Sequence, residues 1–254
     1  MTSPLLNPPC SGWDADLPGP FDQQQLAKHL ENKIPNHLDT TYLELPRSSV
    51  SPRGVLFFVT IIFIFVYVSI LVFLFFIIPP QPVSLIGGTT LLIFGSWMVT
   101  IGWQLDVSPP RDEPIRFNRI RRKIYAYNFK NQFWNPFKKG TVVPISYDWA
   151  QVRAERWSQT GVVAGGLIFK WGVVLSIIEP GTNRVIDRFN LSAMDTNGQT
   201  WAYVCTYMQK GPDALPPPGP PKDQNDLIWC EFALRLAPKV SWPPDMDLES
   251  RTAP

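Results

Sequence analysis

The chain has 254 residues, 23 Lys+Arg against 21 Asp+Glu, and a formal net charge of +2. That length allows one or two domains. The hydrophobic content of 45% is ordinary, but it is concentrated: from Gly54 to Leu105 there is no Asp, Glu, Lys, Arg or His. Such a stretch is far longer than the ~20 apolar residues a membrane helix needs, and on this reading it excludes a purely soluble protein.

Residues 1–52 hold eight prolines and six carboxylates against three cations. Phe21, Leu26, Leu30 and Ile34 fall at roughly helical spacing between Pro20 and Pro35. They predict one short amphipathic helix in an otherwise irregular arm, packed on the C-terminal domain, with a partner-binding helix as the alternative.

The apolar stretch reads as two spans, 55–78 and 83–105, within a segment 53–105. In lipid a helix satisfies its own backbone, so length outweighs the β-branched and aromatic composition of the first span. Pro79, Pro80 and Pro82 stop it. The turn is short enough to force an antiparallel transmembrane hairpin. Gly87, Gly88 and Gly95 in the second span are expected to face the bulky first span, as small residues do where membrane helices pack. Arg47 and Arg53 precede the hairpin, and nine cations from Arg111 to Lys139 follow it. By the positive-inside rule both termini are then cytoplasmic.

Residues 106–211 read as a β-rich cytoplasmic domain. Ile115–Arg119 and Lys123–Phe129 alternate as strands, as do Thr141–Ile145, Gln151–Trp157 and Arg184–Leu191, and Gly166–Ile178 is a longer apolar strand. Pro180-Gly-Thr-Asn183 is a turn. Trp201, Val204, Cys205 and Met208 then change to helical spacing, with Asp195 or Thr196 as cap and Gly211-Pro212 as stop. The expected fold class is therefore a membrane protein of α+β type: arm, two-helix hairpin, and a small β-rich domain closed by a helix. Residues 212–254 read as a Pro-rich linker with Leu215–Pro221 in polyproline II, a helix over Asp226–Leu236, and an irregular tail.

Chemistry is sparse. Three cysteines are too few and too scattered for a disulfide framework or zinc site, and His29 and His37 both lie in the arm. No phosphate-binding loop, His-Glu-x-x-His or Gly-x-Ser-x-Gly is present. Asp112-Glu113 and the Asp245/Asp247 pair lack the convergence that acid–base work needs. No catalytic residue, cofactor or metal is expected. The strongest feature is Pro114–Lys139, with eight cations, no carboxylate, and interleaved aromatics. Arg116, Arg119, Arg121, Arg122 and Lys123 are its candidate lipid- or partner-binding residues. Beside a membrane, such cations fix topology and attract anionic lipid heads. A protein partner is the next reading, and nucleic acid is not expected.

The pattern Ile115-x-Phe117-x-Arg119-x-Arg121-x-Lys123-x-Tyr125-x-Tyr127, with Trp149 beyond it, resembles bacterial membrane proteins carrying a small pleckstrin-homology-like domain. Among these it is similar to a Proteobacterial group often encoded beside type VI secretion effectors. The resemblance implies a non-enzymatic inner-membrane protein that binds a cognate toxin or secretion component, in an immunity or accessory role. The alternative is a membrane-surface scaffold that binds anionic lipid.

Overall fold

The computed structural model describes residues 3–23, 35–47, 54–77, 81–131, 135, 138, 140–163, 166–193, 195, 197–216 and 232–254. Among the described residues nine strands form two antiparallel sheets. One sheet has the order β2-β3-β4-β5-β6, built from His37–Leu38, Tyr42–Leu45, Ile115–Asn118, Lys123–Lys130 and Thr141–Asp148. The other has the order β1-β7-β8-β9, from Trp13–Asp16, Val152–Val163, Gly166–Ile178 and Val185–Ala193. A one-turn 3-10 helix, Trp149–Gln151, carries the chain from the first sheet to the second.

Both sheets and helix α3 (Gln199–Lys210) close on one core. Ile115, Phe117, Ile124 and Ala126 meet Val173, Leu175 and Ile177 there, with Trp149, Trp201 and Tyr207 filling the interior. The Trp149 ring lies 5.3 Å from Trp201, tilted by 36°, and meets Phe117 edge-on. Such ring pairs add roughly 0.5–1.5 kcal/mol each beyond the area they bury. Asp195 accepts hydrogen bonds from the Gln199 and Thr200 N–H groups and so satisfies the first turn of α3, the role its spacing predicted.

The outer faces of both sheets are covered by the ends of the chain. On the second sheet, Cys10 and Trp13 pack on Trp157 and Val174. On the first, the C-terminal segment with helix α5 (Pro244–Arg251) lies across β4 and β5. Asn118 donates to the Ser250 and Thr252 carbonyls, and Tyr127 meets Trp242 edge-on. Every residue of β4 is consequently buried.

Three expectations change. First, the arm is no irregular appendage. β3 pairs with β4 (Leu43↔Phe117) and β1 with β7 (Asp16↔Glu155), so 106–211 is not a self-contained, pleckstrin-homology-like unit. The sheets draw strands from both sides of the apolar segment. The helix expected at Phe21–Ile34 falls largely outside the described residues. Second, the C-terminal tail is ordered as α5. Of the helix expected over Asp226–Leu236, the described part, α4 (Phe232–Leu236), is helical. The polyproline stretch lies mostly outside the described residues.

Third, the two-helix transmembrane hairpin is overturned. Helix α1 (Val55–Val72) has 18 residues and gives way to a π-helical turn, Phe73–Ile77. At 1.5 Å per residue α1 is about 27 Å long, short of the ~30 Å hydrocarbon core. The uncharged run in the sequence is longer than the α-helix it forms. Helix α2 (Pro82–Asp106) has 25 residues. Among the described residues one helix, Leu85–Asp106, is long and apolar enough to cross a membrane. It packs on α1, with Gly95 against Tyr67 and Gly102 against Thr60. Gly87, expected at this contact, faces open space instead.

Candidate docking surface

The β4–β5 turn collects the five candidate cations. Asn118 opens it, its side-chain oxygen accepting the Arg121 N–H at 2.8 Å, and Arg122 closes it with φ 53°. A left-handed, non-glycine residue is uncommon and needs support. The Arg122 carbonyl accepts the Trp149 N–H at 2.8 Å, tying the turn to the core.

The cations divide by what they touch. Arg116 is 3% exposed. Its guanidinium pairs with Glu44 at 2.5 Å and Asp247 at 2.7 Å, donates to Ser250, and stacks 4.4 Å from the Trp242 ring. This cation locks α5 onto the sheet. Arg122 donates to the Met208 carbonyl at 2.7 Å, and the Arg119 guanidinium lies beside Gly211. Both therefore place positive charge at the carboxyl end of α3, where the helix dipole favours it. Arg121 donates to the Thr252 and Ala253 carbonyls, and Lys123 pairs with Glu249 at 2.9 Å. The lysine holds the Glu249 carboxyl below its ordinary range. β4, β5 and the turn between them thus carry all five residues, with much of their hydrogen-bonding capacity used internally. Arg122 remains exposed, next to Ile120 at 46% exposure, so an apolar side chain projects from a cationic rim.

This rim stands away from α2. The opposite end of β5 reaches the helical pair, where Asn131 donates to the Gln104 carbonyl at 3.0 Å. From Lys123 to Lys130 the strand covers about 23 Å at ~3.3 Å per residue, whereas the Debye length at physiological salt is about 8 Å.

Two carboxylates that the sequence did not single out organise the rest. Asp106, ending α2, accepts the Gly54 N–H and, at 2.8 Å, the Phe57 N–H. It caps α1 from the neighbouring helix. Its position as the first charge after the apolar run was the available signal. Glu155, fully buried, takes the Cys10 N–H at 3.0 Å, the Ser176 hydroxyl and the Arg188 guanidinium. Arg188 also donates to the Pro8 carbonyl. A lone acid in an alternating strand marks this network only once its partners are known. Burial pushes the Cys10 thiol up to about 12 and raises Cys205 too, so neither is a thiolate nucleophile near neutral pH. No group of three or more metal-ligating side chains occurs among the described residues.

No curated protein and no solved structure matches this chain. A family model does, over residues 92–254, which span the second half of α2 and everything after it, leaving α1 and the arm outside. Because the match takes in well over half of the sequence, the chain belongs to DUF6708, a family of unknown function.

Proposed function

We propose that this is a non-enzymatic protein of the bacterial inner membrane, held there by α2, whose cytoplasmic body docks a protein partner through the β4–β5 turn. The supporting observation is the placement of that turn. Ile120 with its Arg121/Arg122 rim lies about 23 Å of strand from the α2 end, beyond the reach of headgroup charge at physiological salt. An apolar centre with charged surroundings is the usual anatomy of a protein interface. The partner face it fits is acidic around an apolar pocket. The same distance disfavours the lipid-scaffold reading for these cations. The resemblance to proteins encoded beside type VI secretion effectors makes a cognate toxin or secretion component the partner of choice, and immunity or an accessory role the function.

The test is co-purification of the full chain, in detergent, with the product of the neighbouring gene. The combined Ile120→Asp and Arg122→Gln variant is expected to lose the partner while keeping its circular dichroism spectrum. Retained binding would remove the turn as the docking surface. No binding by the unaltered chain, with no protection against that product's toxicity, would remove the immunity reading.

A further inference from the structure

Past Trp157 and Gly172 the β7–β8 hairpin leaves its sheet. β1 last pairs at Trp13↔Trp157 and β9 at Gly172↔Ala193, yet β7 and β8 continue together to Val163↔Gly166. The free ribbon is about 20 Å long at ~3.3 Å per residue. Its composition is graded along that length. Near the base Ser158 opposes Trp171 and Gln159 opposes Lys170. Between Thr160 and Phe169 no residue is charged. Leu167 and Phe169, both 61% exposed, share one face of β8.

The contacts give the ribbon a direction. On β9, Asp187 receives the Tyr147 hydroxyl, and two residues on, Phe189 lies under the Arg47 guanidinium. Arg47 in turn donates to Asn128, which is paired with Val143. The step from Tyr147 to Val143 along β6 leads toward the strand end that adjoins Gln104 of α2. β9 therefore advances toward the base of the helical pair. Ile177 and Leu175 of β8 face Asp187 and Phe189, so β8 read back toward Gly166 advances the same way.

We propose that the outer part of the β7–β8 ribbon dips into the interface of the bilayer that α2 engages, with Leu167 and Phe169 as its apolar anchors. The inference rests on the proposed membrane placement of α2. A lipid surface fits the gradient better than a protein groove. The apolar residues lead, and behind them come a tryptophan and a lysine, which favour headgroup depth. Depth is bounded as well. Beyond Ser158, whose N–H donates to the Gly12 carbonyl, no strand among the described residues lies beside either outer edge of the ribbon, and hydrocarbon does not tolerate such unpaired backbone groups. Insertion stops within the interfacial ~5–10 Å that amphipathic elements reach.

The full chain, with Cys230→Ser to remove its one cysteine outside the described residues, is labelled with an environment-sensitive fluorophore at Leu167→Cys, Phe169→Cys, Ile93→Cys or Thr182→Cys. Each is reconstituted into phosphatidylcholine/phosphatidylglycerol vesicles with and without nitroxide-bearing acyl chains. The expected result is strong quenching at 167, 169 and the α2 position 93, and none at 182, which lies in the turn at the far end of β8. Quenching at 93 without quenching at 167 or 169 overturns the ribbon proposal alone. Loss of quenching at all positions overturns the membrane placement and the ribbon with it. A disulfide-linked dimer through position 167, unquenched, makes the ribbon a contact between copies and also overturns the proposal.

Discussion

Glu155 illustrates how a single side chain joins distant segments. Its carboxylate is fully buried and takes hydrogen bonds from the Cys10 backbone, Ser176 and Arg188, three points on three segments. Replacing it with alanine leaves Arg188, which is one-quarter exposed, without its acid, and leaves the Cys10 N–H and Ser176 hydroxyl unsatisfied. Hydrogen bonds to charged groups contribute about 1.5–3 kcal/mol, and the orphaned donors add to the loss. We expect Glu155→Ala to lower stability by about 2–4 kcal/mol in urea titrations of the detergent-solubilised protein. Residues 8–16 should also become cleavable by protease before the rest. Glu155→Gln, which keeps the shape and one of the two acceptor oxygens, should cost less. A variant as stable as the parent, with an equally protected N-terminus, would show that the network does not hold the arm.

At the scale of elements, the helical pair and α5 make separate predictions. A Cβ at Gly95 would run into the Tyr67 ring, whereas one at Gly87 meets nothing. Gly95→Leu should therefore cost about 1–3 kcal/mol by overpacking, and Gly87→Leu very little, read as thermal resistance in detergent. Equal effects would refute this packing. Helix α5 is held partly by the Lys123–Glu249 pair, which lowers the Glu249 pKa below the ordinary range of a glutamate. A carboxyl depressed in the folded state stabilises above its unfolded pKa and loses that contribution as pH falls through the folded value. Docking of α5 should then be steady from neutral pH down to about 5 and weaken below about 4. Amide exchange of residues 244–251 reports it, and Glu249→Gln should remove that acid dependence.

The same elements show what the sequence made legible. Strands β5 to β9 were readable because each has at least eight residues, long enough to show alternation or a sustained apolar run. β4, though only four residues and buried on both faces, was readable as Ile115-Arg-Phe-Asn118 beside its short basic turn. α3 was readable because its periodicity changes to 3.6. The short strands β1, β2 and β3 have four, two and four residues, too few to display a period, and their partners lie beyond the apolar segment. α5 did carry signals: Pro244 in its first turn, Asp245 and Asp247 after it, and Arg251 at its end. Proline density around it obscured them. In the candidate site, the clustering of cations was legible. Their division between internal locks and exposed rim was not, because the carboxylates and carbonyls that claim Arg116 and Arg121 come from Glu44 and from residues 247–253.

At the scale of the whole molecule, the arm, the β domain and the C-terminal segment fold as one body around the point where the helical pair departs. β3 supplies the inner neighbour of β4, so a fragment starting at Asp106 would expose the edge of β4 and the core residues that Leu43 and Leu45 cover. We expect that fragment to aggregate or to lack near-ultraviolet dichroism when expressed alone, since exposed edges with apolar faces self-associate. A soluble fragment with native-like dichroism would show that the arm is dispensable for folding.

The pairing of Asp16 with Glu155 also sets an order of events during synthesis. More than half the chain separates the two residues, and at ~5–20 residues per second the ribosome needs roughly 7–28 seconds to bridge them. Through that interval the arm has been made but has no strand to join. It must stay extended and unaggregated while the apolar helices emerge behind it. The arm's high proline content and net acidity suit that wait, because neither favours premature sheet formation. The strands after β7 then complete the sheets, and α5, which follows every strand in chain order, seals the outer face of β4 only after the strands beneath it are in place.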